Sequence, residues 1–390
     1  MIIKAGNHGD GIRSDCLVSL ELRDSVGIDI KVKSKVTSMY GDSIKILLQE
    51  GLRFFEIQNA GLTIEDSGAL PFIIRARLEA AVKRAKPEIT TQWLPELRAE
   101  CLYKTVRERF RRSRLYLPGN TPKFMINAGI HKPDGIILDL EDSVAPTEKD
   151  AARILVRNGL RQVDFYGAER MVRINQIPEG LEDLEYIIPH NVHVILIPKC
   201  ENPEQVRQVD AKITEIMEKK KNSNEVFLMP IIESALGAIN AFPIAKASPR
   251  NVALTIGLED YTADIGTRRT NKGRESFWAR SQVVNAARAA GLQPIDTVFS
   301  DVADEQGLLQ SVFEAKSLGF EGKGCIHPRQ IKVIHKGFLP TDQEVEKAKK
   351  IMAAFEQAKA QGSSVTVVGS KMIDPPVVKR AQRILKLVEG

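Results

Sequence analysis

Aromatic side chains are scarce in this 390-residue chain, at 6% of residues. A base-stacking platform for nucleic acid needs more of them. Cysteine is rarer still. Cys16, Cys101, Cys200 and Cys325 lie far apart and form no CxxC pair, which excludes a disulfide framework and a zinc site and predicts a reducing cytoplasm. Long apolar runs are also missing. Segments such as Val192–Pro198 and Val226–Ile232 fall far short of the ~20 residues that span a bilayer, so no membrane contact is expected. The opening MIIKAGNHGDGIRSD holds no continuous apolar stretch, and no signal peptide is predicted. Neither sign of charge dominates. Fifty-six basic against fifty acidic residues give +6, too mild over this length for a nucleic-acid footprint. What the chain does have is 43% apolar and 27% charged residues, enough for a sizeable core and a solvated surface over two or three domains.

Residues 1–85 read as a small α+β unit. DCLVSLELRD and GIDIKVKSKV alternate apolar and polar residues as half-buried strands do, and SIKILLQEGLRF follows as a helix. Further strands are predicted at AGLTIED and ALPFIIR and a short helix at ARLEAAVKRA, so that two β-hairpins would pack on helices. From Lys83 to Arg114 ten basic residues stand against four glutamates, punctuated by Pro87 and Pro95. Residues 86–110 are read as a basic interdomain linker.

From residue 111 to about 340 the pattern becomes regular. Eight short apolar segments recur, at RLYLPG, GIILDLED, MVRIN, VHVILIPK, VFLMPIIES, VALTIGLED, IDTVFSD and GKGCIHP, and helix-like stretches follow most of them. Near-continuous apolar strands alternating with helices predict a parallel sheet buried on both faces, closed as a (β/α)8 TIM barrel. An open doubly wound sheet is the alternative, but no GxGxxG or GxxxxGK[ST] follows the first strand. Residues 341–390 form a C-terminal helical extension, with VTVVGSKMID between two helical stretches.

In such a barrel the reacting groups stand at the carboxyl ends of the strands. Those ends carry Asp139, Glu141, Asp142, Arg173, Asn175, Lys199, Glu233, Ser234, Glu259 and Asp260, with Asp296 and Asp301 flanking the seventh and His327 after the eighth. Hard oxygen ligands converging on one mouth suit Mg²⁺ or Mn²⁺. An arginine beside them suits a substrate bearing carboxylates or phosphates. On residues alone, then, a divalent-metal enzyme for a small carboxylated or phosphorylated substrate is predicted.

The strings RSRLYLPGNTPKF, GIILDLEDSVAPTEKDAAR, VRIN, ILIPK, IIESALG, GLEDY, FEGKGCIHPRQI and GSKMIDPPVVKRAQRIL resemble, in order, the motifs of the citrate lyase beta subunit. That subunit belongs to the wider aldolase family of malyl- and citramalyl-coenzyme A lyases. The resemblance runs from about Arg111 to the end of the chain. The first 85 residues separately resemble the citrate lyase gamma subunit, an acyl carrier protein, through RSDCLVSLEL and GALPFIIRARLEAAVKRA. A natural fusion of carrier and lyase is implied.

The resemblance implies roles residue by residue. Glu233 and Asp260 match the family's Mg²⁺ ligands, Glu233 standing also at the substrate. Arg173 matches the arginine that holds a substrate carboxylate, and Arg112 that of the first-strand RSxL motif, at the substrate or thioester. Asp374 in KMIDPP matches an aspartate that reaches a neighbouring subunit's site as acid/base, which implies a trimer or hexamer. Capping alone would also explain an aspartate before two prolines. Asp139, Glu141 and Asp142 serve either as groups around the metal or as a structural network. His327 stands where the family pattern has asparagine and receives no role. Ser14, followed by Asp15, occupies the place that carries a phosphoribosyl-dephospho-coenzyme A arm. The implied activity is cleavage of a carrier-bound citryl thioester to oxaloacetate and an acetyl thioester. The implied partners are a citrate lyase alpha subunit and a prosthetic-group transferase. The rival readings are a lyase for free citramalyl- or malyl-coenzyme A, and a carrier or scaffold with a silent barrel.

Overall fold

The structure is a computed structural model that describes residues 1–221, 224–360, 366–368 and 371–389. Its first unit is a four-stranded sheet of β1 (Ile2–Gly6), β2 (Cys16–Leu22), β3 (Ile28–Ser34) and β4 (Ala60–Asp66), in the order β1-β2-β4-β3. Helix α1 (Thr37–Phe54) carries the chain from β3 across to β4, so these two strands pair in parallel, Ile28 beside Ala60 and Ser34 beside Asp66. The expected pair of hairpins is thus replaced by a mixed sheet. The segment ALPFIIR is not a strand either. Pro71 opens α2 (Pro71–Ala85), where its fixed φ suits a first turn. Every residue of that helix from Phe72 to Val82 except Arg75 is buried, because it is packed on both sides. A helix covered all round shows no amphipathic stripe to read.

Residues 86–112 are engaged throughout. Trp93 packs into the first unit, and its N–H donates to Glu79 Oε2 (3.0 Å). Further on, the segment crosses the amino ends of the barrel strands. Tyr103 Oη donates to the Ala168 carbonyl (2.6 Å), Thr105 Oγ1 to Glu169 Oε1 (2.5 Å), and Arg107 Nη1 to the Asn251 carbonyl (2.7 Å). Arg107, Arg109, Arg111 and Arg112 close the floor of the barrel, while Arg98 and Lys104 are exposed.

The barrel strands are β5 (Ser113–Pro118), β6 (Gly135–Asp139), β7 (Glu169–Arg173), β8 (Val194–Ile197), β9 (Phe227–Ile232), β10 (Ala253–Ile256), β11 (Gln293–Asp296) and β12 (Gly322–Cys325). All pair in parallel, each with its successor, and β12 returns to β5 to close the ring. Between β5 and β9 the chain forms α3 (Pro122–Met125), α4 (Lys149–Gln162), α5 (Gly180–Ile187) and α6 (Pro203–Lys220). The rest of the helical ring is α7 (Ala235–Ile239), α8 (Ala241–Lys246), α9 (Leu258–Asp264), α10 (Phe277–Ala289), α11 (Glu305–Leu318) and α12 (Arg329–Phe338).

Strand alternation sorts the side chains. Ile137, Met171, Val194, Leu196, Phe227, Met229, Ile231 and Ile295 fill the lumen with Tyr116. Their neighbours Ile136, Leu138, Val172, Ile195, Leu228 and Leu254 pack outward against the helices. The parity predicts which strand-end residues face the mouth: Asp139, Arg173 and Glu233 each stand two places beyond a lumen residue.

After α12 come α13 (Asp342–Ala360), β13 (Thr366–Val368), β14 (Lys371–Ile373) and α14 (Pro375–Glu389). This extension has its own small core of Ala348, Ile351, Ile373, Val378 and Ala381. An Arg383–Glu321 ion pair ties it beside the amino end of β12. Among the described residues no helix is long and apolar enough to cross a membrane.

Candidate active site

The mouth opens on a cavity of about 450 Å³ lined by residues from seven of the eight strands or the loops that follow them. Arg173 lies at its edge and is largely buried. Its Nε and Nη2 donate to the two oxygens of Asp139 (2.7 and 2.8 Å), a bidentate fork. Its Nη1 stands 2.7 Å from Glu141 Oε2 and its guanidinium 5.6 Å from the Tyr116 ring centre. Burial alone would raise the Asp139 carboxyl, but Arg173 holds it below its ordinary value. The same contacts raise Arg173, against the burial that would lower it. Asp139 therefore fixes one edge of the guanidinium, while Nη1 is shared between Glu141 and Asp142 (3.4 Å).

Glu233 is 5% exposed. Burial, with Glu141 and Asp260 nearby, pushes its carboxyl up to about 8, although the Lys199 N–H donates to Oε1 (2.6 Å). Gly257 makes room for it, since a Cβ there would lie 2.5 Å from Glu233 Oε2. Asp260, in the first turn of α9, is 43% exposed in its side chain and lines the same cavity. Lys199 has φ +44°, a left-handed conformation that a residue with a Cβ adopts at a cost. Its N–H bond to Glu233 holds it there. Its Nζ reaches Glu141 (2.9 Å), Asp142 (3.3 Å) and Asp260 (4.0 Å). These contacts raise Lys199 above the usual lysine range, although burial opposes them.

Glu259 and Asp296 in this cavity have their own cations, Arg269 and the pair Arg280 and Lys323. Among the described residues, by contrast, Asp139, Glu141, Asp142, Glu233 and Asp260 have only Arg173 and Lys199, two cations for five carboxylates. That surplus, with a buried carboxylate held protonated near neutrality, is the donor chemistry a hard divalent cation fits.

At the floor of the cavity stands Arg114, fully buried. Its Nη1 lies 3.0 Å from Met229 Sδ, its Nη2 donates to Thr255 Oγ1 (3.1 Å) and the Asp296 carbonyl (3.4 Å), and Nε has no hydrogen-bond partner. Burial lowers its affinity for a proton. Neither Arg114 nor Lys199 was given a role from the sequence. Strand parity is the signal for Arg114, which shares the lumen face with Tyr116.

Arg112 and Asp374 are not brought to this mouth. Arg112 points to the opposite end of β5, where Nε and Nη2 clasp Asp134 (3.0 and 2.9 Å) and its N–H donates to the same carboxylate (2.8 Å). Its place explains it: Arg112 has the parity of Arg114 but precedes the strand at its amino end, one layer below the lumen. Asp374 caps α14, accepting from the Val377 N–H at Oδ1 (3.1 Å). His327 likewise takes a local bond, from the Arg329 N–H to its Nδ1 (3.2 Å).

Ser14 lies on the loop before β2, with φ +56°. Asp15 beside it is buried and bound by Arg77, whose Nε and Nη2 donate to Oδ1 and Oδ2 (2.9 and 2.8 Å). The same guanidinium crosses to the loop after β5, donating to Asn120 Oδ1 (2.6 Å) and the Asn120 carbonyl (3.2 Å).

A closed eight-stranded barrel with carboxylates and a clamped arginine at its mouth defines a barrel enzyme for small carboxylated substrates. More particularly, the chain belongs to the HpcH/HpaI aldolase/citrate lyase family, whose model matches residues 112–328. It is a carbon–carbon lyase, carrying an acyl-carrier-like domain at its amino terminus. Residues 6–85 match the acyl carrier family described as malonate decarboxylase delta subunit. Citrate lyase subunit beta of Leuconostoc mesenteroides subsp. cremoris is 41% identical over 286 residues, covering 73% of this chain and 95% of that protein. The Mycobacterium tuberculosis CitE structure with magnesium, acetoacetate and coenzyme A is 28% identical with a TM-score of 0.60, over 73% of this chain and all of that one. The citrate lyase beta subunit from M. tuberculosis complexed with oxaloacetate and magnesium is 30% identical with a TM-score of 0.51, over 60% of this chain and 99% of that one.

Proposed function

We propose that this chain cleaves a citryl thioester carried by its own amino-terminal domain, releasing oxaloacetate and leaving an acetyl thioester on the carrier. The observation that carries the reading is the juxtaposition of a carboxylate-rich lyase mouth with a carrier loop fastened beside it by Arg77. Ser14 is the attachment site, and the arm is phosphoribosyl-dephospho-coenzyme A.

Removal of the proton from the C3 hydroxyl of the citryl group lets the C2–C3 bond break. Its electron pair goes to the thioester as an enolate, which takes a proton at C2. Arg173 Nη1 exchanges its contacts with Glu141 and Asp142 for a substrate carboxylate, while Asp139 holds the guanidinium in plane. Glu233 and Asp260 would hold Mg²⁺. When bound, the ion supplies Lewis-acid stabilisation of the oxygen that becomes the ketone of oxaloacetate. Lys199 places Glu233 through its N–H and screens Glu141 and Asp142 through its ammonium. Arg114 at the floor offers a second cation to a substrate with several carboxylates.

Asp374 lies outside the lining of its own mouth, so an acid/base role for it requires delivery from a neighbouring chain, as in a trimer or hexamer. Exchange of acetyl for citryl on the carrier falls to an alpha subunit, and attachment of the arm to a transferase, all in the cytoplasm. The four buried free thiols agree with a reducing compartment.

Intact mass of the chain from its native host tests the reading. An adduct equal to the arm, mapped to Ser14, together with oxaloacetate release from the citryl-loaded chain, is the expected result. An unmodified chain that turns over free coenzyme A thioesters would replace it by the free-thioester lyase.

A further inference from the structure

The first unit is docked on its barrel by buried charge. Arg157 of α4 donates from Nη1 and Nη2 to the two oxygens of Glu79 on α2 (2.8 and 2.7 Å), with every side chain in the pair fully buried. Next to it Asn158 Nδ2 donates to the Phe72 carbonyl (2.9 Å). At the other end of α2, Arg84 binds Asp150 through Nε and Nη2 (2.7 and 2.6 Å) and the Thr147 carbonyl (2.9 Å). Arg77 completes the seam through Asp15 and Asn120. Separating these surfaces would break all of these bonds together. With residues 86–112 bound to the barrel as well, this carrier does not swing on a tether.

A groove of about 210 Å³ lies along that seam. On one side are Arg13 and Asp15, which flank Ser14. On the other are Asn120 and Lys123 after β5 and Ser143 to Ala145 after β6. Ser143 lines both this groove and the catalytic cavity, where its N–H donates to Asp139 Oδ2 (3.2 Å). The groove therefore begins beside the Ser14 loop and adjoins the mouth of the same chain at Ser143, with Arg13 and Lys123 as exposed cations suited to the phosphates of an arm.

We propose that the groove is the track of the prosthetic arm, so that each carrier loads its own barrel and the arm alone, not the domain, makes the journey. The proposal rests on the carrier reading above. It adds that delivery is within one chain, where a fixed anchor gives the thioester a high effective concentration at the mouth.

Disulfide trapping of the arm's terminal thiol tests it. The arm-bearing chain is prepared with Val298→Cys at the far side of the cavity, oxidised with copper–phenanthroline and run on a denaturing non-reducing gel. The expected product is a single-chain band whose intact mass has lost two hydrogens. Ala145→Trp in the same background is expected to reduce that trapping at least tenfold by filling the groove, and Lys123→Glu to slow it severalfold. Interchain-linked bands, an absence of trapping, or trapping indifferent to Ala145→Trp would each overturn the track while leaving the carrier reading intact. A chain whose mass shows no arm at Ser14 refutes both, and that result is seen before any cysteine is introduced.

Discussion

The two ends of the barrel are both rich in charge, but they are built differently. At the floor the buried carboxylates Glu169 and Asp134 each have a counter-ion, while Arg107, Arg109 and Arg170 are held by backbone carbonyls. Arg111 forks onto Glu169 (2.6 and 2.7 Å) with both side chains fully buried, and Arg112 forks onto Asp134, 3.5 Å from His335 Nε2. At the mouth five carboxylates share two cations, Glu233 is held mostly protonated near neutrality, and Arg114 has no carboxylate of its own. Floor charges serve the fold, and mouth charges await a ligand, as expected where barrels carry stability at one end and chemistry at the other.

The sharpest way to break the comparison is to make the same substitution at each end. Glu169→Gln leaves Arg111 buried beside a neutral amide and is expected to cost about 3–5 kcal/mol of stability, with activity per folded molecule retained. Glu233→Gln removes a carboxylate that is crowded by like charges, so the melting temperature should hold or rise while turnover falls on the order of 10²–10³-fold. Paired thermal melts and oxaloacetate assays read both. A Glu233→Gln chain that melted much lower with turnover intact would erase the distinction.

Arg114 on β5 and Arg112 just before it give a smaller contrast. Arg114→Met replaces a buried guanidinium without an acidic partner, so it should cost under about 1 kcal/mol or stabilise slightly. It should also raise KM for the carboxylated substrate about tenfold or more. Arg112→Met breaks a fork at the floor and should lower the melting temperature with KM unchanged. Steady-state kinetics beside a melt separates the two.

That pair also shows where sequence reading stops. Eight apolar segments at regular spacing were enough for the barrel, and Arg173, Glu233 and Asp260 stand out as charges at strand ends. Choosing between Arg112 and Arg114, which share a parity, needs the strand's first residue, and an arginine-rich run hides it. Helix α2 was split between strand and helix because burial on both sides makes its opening apolar throughout. The parallel pairing of β3 with β4 depends on where α1 leads the chain, a non-local fact. Lys199 drew no role because its part depends on a left-handed backbone and on carboxylates from three other loops. Asp374 could be read as a cap from the residues alone, and a cap is what its own chain makes of it.

The last contrast is a matter of pH, and there the two ends should move oppositely. His190 and His193 sit at the floor beside the amino end of β8, and burial, with nearby arginines, lowers both to about 3. Unfolded, they bind protons near 6.5. Their contribution is therefore complete above pH 6.5 and is lost as pH falls from there toward 3, by up to about 1.4 kcal/mol per unit for each. Glu233 has the reverse sign. Its carboxyl is raised to about 8 from an ordinary 4.5, so the neutral form that suits the folded chain is lost as pH rises through 8. The metal-free chain should be most stable on the acid side of neutrality and decline gently in both directions. Glu233→Gln should remove the alkaline decline and leave the acid one, whereas His193→Gln should flatten only the acid limb. Melts across pH 5–9 in chelator, repeated with millimolar Mg²⁺, decide it. Magnesium should stabilise most at high pH, because its carboxylate ligands must be deprotonated to bind.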